Sequence, residues 1–108
     1  MTASSPVSVV LTTIAAREDA IALARTLIEE RLAACVNVLP QMTSVYRWKG
    51  AIEEEPEHQV VIKTASDRLP ALEARLRQLH PYEVPEFVVL EAGDHENPYL
   101  TWVRESVG

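Results

Sequence analysis

Two prolines four residues apart, Pro81 and Pro85, divide the second half of the chain into two kinds of sequence. Each removes a backbone donor and restricts the residue before it, so no helix crosses His80–Glu86. Ahead of this turn, Leu69, Leu72, Leu76 and Leu79 recur at helical spacing, with Arg68, Glu73, Arg75 and Arg77 on a solvated side. Behind it, Phe87–Glu91 reads as a strand. An imidazole, a phenol and a carboxylate (His80, Tyr82, Glu83) therefore sit on a stiff turn between a helix and a strand. Turns of this kind, held by a rigid scaffold, often carry function. The same heptapeptide also serves as a plain helix stop and strand entry.

The rest of the chain alternates in the same way. Residues 1–6 read as a flexible tail, and 7–108 as one domain. Val7–Ile14 is a first strand. Ala20, Leu23, Ala24, Leu27, Ile28 and Leu32 then mark one face of a helix. A second strand starts near Cys35, is broken by Pro40 and resumes over Ser44–Trp48. Lys49-Gly50 reads as a hairpin turn, with glycine supplying the positive φ. Ala51–Glu57 is an acidic return strand interrupted by Pro56, and His58–Thr64 the third strand proper. Ser66 or Asp67 is the expected cap of the second helix. Gly93–Pro98 reads as a loop, from which Asn97 caps a short last helix. The order β-α-β-β-α-β plus a C-terminal helix is the α+β, ferredoxin-like arrangement.

That arrangement creates a shortage. Val9-Val10-Leu11, Val60-Val61-Ile62 and Val88-Val89-Leu90 are continuous apolar runs, the pattern of strands covered on both faces. The two long helices normally lie on one face. The chain has only a short C-terminal helix to spare, so further copies of it are expected to cover the other face in a closed homo-oligomer.

The net charge of −6, with acidic residues scattered, argues against nucleic acid, which requires a basic face. It permits cation binding without specifying it. A single cysteine, Cys35, gives no intrachain disulfide and fits a reducing compartment. No basic residue precedes the first apolar run, and no run approaches a membrane span of about 20 residues, so neither secretion nor membrane insertion is expected.

Among possible ligands, His80 is the leading metal candidate, with Glu83 as orienting group or added carboxylate. Cys35 offers a soft thiolate but lies in apolar company, where a free cysteine is usually a small core residue. His58 and His95 are expected to be solvated. Lys63 is either a snorkelling base at the sheet edge or the partner of an anion or a carboxylate such as Glu83. Trp48, Tyr82, Tyr99 and Trp102 read as interface anchors. With three glycines, no phosphate-binding loop and no catalytic motif, the chain is not expected to be an enzyme.

Five blocks in order, Glu30–Asn37, Ser44–Gly50, Ile62–Thr64, His80–Glu86 and Tyr99–Trp102, give the chain a resemblance to the CutA divalent-cation tolerance family over about Val7–Val107. The resemblance implies a PII-like homotrimer of ferredoxin-like subunits, cytoplasmic, non-catalytic, and tied to copper and other divalent metals. It also implies metal ligands at the end of the first strand and in a His-His-Pro-Tyr turn. This sequence has Thr12 at the first position and Leu79-His80-Pro81-Tyr82 in the turn, so His80 alone matches. A PII-like trimer binding a small anion between subunits, through Lys63, Tyr82 and Glu83, is the alternative. In a third reading the polar turn only locks the trimer.

Overall fold

The structure, a computed structural model, describes residues 5–93 and 95–108. Residues 1–4 of the expected tail, and Asp94 of the expected loop, lie outside them. The elements are β1 (Val7–Ile14), α1 (Arg17–Glu29), β2 (Cys35–Trp48), β3 (Ala51–Ala65), α2 (Leu69–Leu79), β4 (Val88–Glu91) and α3 (Pro98–Val107). The four strands form one antiparallel sheet in the order β2-β3-β1-β4. This is the ferredoxin-like α+β fold, with α3 added.

Period-two alternation decides what each face of the sheet holds. Val10 and Ile14 of β1, with Val60 and Ile62 of β3, point to one side, where they meet Ala20, Leu23 and Leu27 of α1 and Leu72 and Leu76 of α2. All of these are buried, and they form the core. On the second side α3 covers only one end: Val103 and Val107 are buried there together with Val7 and Ala65, and Lys63 Nζ lies 5.8 Å from the Tyr99 ring.

Two largely apolar rows of the second face have no cover from α3. The register places Val61, Leu11 and Val88 in one row across the sheet, and Lys63, Val9 and Leu90 in the next. Val88 is 46% exposed and Leu90 49%. The shortage of cover expected from the continuous apolar runs is therefore present in the folded chain.

Several boundaries differ from those expected. Pro40 does not end β2. The strand continues through it with a register shift between Val38 and Gln41, because a bulge absorbs the residue that cannot donate. The acidic return segment and the third strand are one strand, β3, with Pro56 paired opposite Thr43. The hairpin turn has positive φ at Lys49 as well as Gly50, which is the pattern of a tight two-residue turn matched to strand twist. Neither Ser66 nor Asp67 caps α2 through its side chain. Ser66–Arg68 form a 3-10 turn instead, and the Ser66 hydroxyl joins Ser8 and Glu91 in a small hydrogen-bonded cluster. Asn97 does cap α3: its side-chain oxygen accepts from the Leu100 N–H at 3.1 Å.

Candidate functional site: the cleft beside the proline turn

The proline turn leaves α2, crosses the end of the sheet and comes to face the β2–β3 hairpin on the uncovered side. Four hydrogen bonds hold it there. His80 Nε2 meets the Thr13 carbonyl at 2.7 Å, and His80 Nδ1 accepts the Tyr82 N–H at 3.1 Å. An acceptor Nδ1 fixes the tautomer, so Nε2 carries the proton and donates it to Thr13. The Tyr82 hydroxyl donates to Glu57 Oε2 at 2.6 Å, and Gln59 Nε2 donates to Glu86 Oε2 at 3.1 Å. The His80 and Tyr82 rings pack edge to face, 4.6 Å between centroids.

Between turn and hairpin lies a cleft of about 710 Å³. Tyr46, Trp48 and Tyr82 give it aromatic walls, and Glu55, Glu57, Glu83 and Glu86 give it carboxylates; no lysine or arginine lines it. Glu57 is only 7% exposed. Burial, and then the bond to Glu57, push the Tyr82 phenol well above its ordinary range, so it remains a protonated donor. Tyr46 is raised as well, first by desolvation and then by the charges of Glu55, Glu57 and Glu53.

Within one chain the expected metal set does not come together. His80 is 6% exposed and faces no open boundary, and both its ring nitrogens are engaged within its own chain. A metal would have to break one of those bonds. Cys35 is level with Lys63 and Val9, four residues along β1 from Thr13, or about 13 Å at strand rise. Glu83 lines the cleft and is exposed. Among the described residues no three His, Cys, Asp or Glu side chains form a group able to hold a metal ion.

Within one chain the anion set, expected between subunits, does not come together. Lys63 and Glu57 are six residues apart on β3, and Tyr82 is bonded to Glu57. Lys63 is therefore about 20 Å from the phenol, stacked instead over Tyr99.

Thr12 points into the core, fully buried, and its hydroxyl has no hydrogen-bond partner. Thr12→Val keeps the shape and removes the orphaned oxygen. It is expected to raise the unfolding free energy by about 1 kcal/mol in chemical denaturation.

The comparisons with known proteins agree with this architecture. The family described as CutA1 divalent ion tolerance protein matches residues 8–106. The chain belongs to the CutA1 family. It is 46% identical to the divalent-cation tolerance protein CutA of Thermus thermophilus, over 93% of this chain and 97% of that protein. It is 52% identical to human protein CutA over 77% of this chain, which spans 46% of the human protein. The solved structure of CutA from Xylella fastidiosa superposes with a TM-score of 0.91 at 38% identity, covering 96% of this chain and 100% of that one. The resemblance read from the five sequence blocks is thus membership of the CutA1 family.

One residue of the cleft, and one on the opposite face of β3, depart from the sequence reading. His58, expected to be solvated, is 6% exposed, because its Nδ1 lies 2.8 Å from the Leu39 carbonyl at the bulge. Glu57 was read only as part of an acidic edge. Counting back from the Trp48–Ala51 pair places it opposite Met42 on the face of the cleft. That count was available once a two-residue turn was assumed.

Proposed function

We propose that this CutA1-family chain serves divalent-cation tolerance as a non-catalytic, cytoplasmic homotrimer without a resident copper ion. The observation that carries the assembly is the pair of uncovered apolar rows on the second face of the sheet. Val61, Leu11 and Val88, then Val9 and Leu90, run side by side with half-exposed members at the β4 edge. Burying apolar surface at about 25 cal/mol per Å² gives further copies a reason to cover them. Three copies is the number the family resemblance implies. Contact with divalent cations then rests on the net charge of −6, a diffuse attraction, because the His80, Glu83 and Cys35 set does not converge in one chain.

Light scattering at micromolar concentration tests the assembly. The expected mass is three times that of the 12.1 kDa chain, and a monodisperse monomer would overturn the proposal. Calorimetric titration with Cu(II) and Zn(II) tests the rest. Weak, non-stoichiometric heats are expected, whereas tight stoichiometric binding would restore a resident site.

A further inference from the structure

A buried carboxylate without a counter-cation is costly, and Glu57 is one. It is 93% removed from solvent by its 7% exposure, and its one hydrogen-bond partner among the described residues is the neutral Tyr82 hydroxyl at 2.6 Å. The ion pairs among those residues, Glu30–Arg75, Glu73–Arg77 and Glu96–Arg104, all lie elsewhere. Glu57 also lines the cleft, so a cation entering there meets a buried acidic side chain whose only partner among the described residues is a neutral hydroxyl. Pairing it with a positive group offsets the cost of its burial.

The shape of the cleft narrows the choice. A volume of about 710 Å³ is that of a small-molecule site and far exceeds a bare metal ion. Its carboxylates are not grouped as metal ligands. Glu55 and Glu57 are instead two residues apart on the same face of β3, about 7 Å along the strand. Tyr46, Trp48 and Tyr82 line it as well, the Trp48 ring already holds the Lys49 ammonium 5.6 Å from its centroid, and aromatic faces beside carboxylates recognise alkylammonium groups. Among the described residues no lysine or arginine lines the cleft, which favours a cation over an anion there.

We propose that this cleft binds an aliphatic di- or polyamine. One ammonium pairs with Glu57 against the aromatic wall, and a second reaches Glu55 or the rim carboxylates Glu83 and Glu86. The alkyl chain between them lies along Trp48 and Val84, which also line the cleft. The inference does not rest on the absence of copper; it rests on Glu57 and its surroundings.

The test is calorimetric titration of the assembled 108-residue chain with spermidine, alongside glutarate and Mg(II) at matched ionic strength. Saturable spermidine binding is expected, weakened at least tenfold by Glu57→Gln and by Trp48→Ala, with no saturable glutarate binding. Glu57→Gln keeps an acceptor for Tyr82, and circular dichroism shows whether it folds. If it does not, the exposed Glu55→Gln serves in its place, with a severalfold loss expected. Three results would overturn the inference: no saturable spermidine binding, affinity unchanged in the folded carboxylate variants, or Mg(II) displacing spermidine at equal concentration.

Discussion

His80→Ala is expected to lower the unfolding free energy by about 2–5 kcal/mol, because it leaves two backbone groups without partners at about 1–3 kcal/mol each. Those groups are the Thr13 carbonyl, which accepts from Nε2, and the Tyr82 N–H, which donates to Nδ1. The imidazole is 6% exposed, so little water replaces what is lost. The edge-to-face packing on Tyr82 goes too. Chemical denaturation in the presence of a chelator isolates this structural effect from any metal. The exposed His95→Ala is the control, expected within about 0.5 kcal/mol of the parent. A His80 loss no larger than that of His95 would mean that the proline turn is held by other means, and would return the imidazole to the list of free ligands.

Leu76→Ala is expected to cost a similar amount, about 2–5 kcal/mol, by a different route. Leu76 is fully buried where α2 meets α1 and the inner face of β1 and β3. Truncation removes transfer free energy and leaves a cavity that the sheet cannot collapse into. Leu76→Met keeps most of the volume and is expected to cost less than about 1.5 kcal/mol. Exposed Arg77, the next residue, is paired only with Glu73 on the surface, and its removal is expected to be nearly silent. Midpoints are compared at one protein concentration, since the proposed association would stabilise the folded chain by mass action. Equal losses for the alanine and methionine variants would show that packing at this position is not what holds α2.

These two replacements also mark what was legible in the sequence. Leu76 was readable because helical periodicity is a local property, and the four leucines of α2 state which side is inside. Asn97 was readable for the same reason, since a cap acts within one turn. The part played by His80 was not readable. Its partners Thr13 and Tyr82 lie 67 positions before it and two after it, and only the folded turn brings them to opposite sides of one ring. Sequence logic sees an unassigned imidazole and offers it to a metal; the fold spends both nitrogens on itself. His58 fails in the same way, because the carbonyl that satisfies it is exposed by a bulge that Pro40 creates. The need for cover on the second face was legible from the apolar runs. The cleft was not, because it depends on which parity of β3 faces a turn arriving from α2.

Pro40 has one more effect, on growth rather than on folding. β2 is an edge strand of 14 residues, and a long free edge offers a template along which other chains can add without end. Pro40 stands inside that edge, beside the register shift, and has no N–H to offer. An incoming strand can follow the edge on either side of it but cannot run the whole length unbroken. The edge is thereby left as shorter stretches, which deny a continuous track to a chain that would start a fibre.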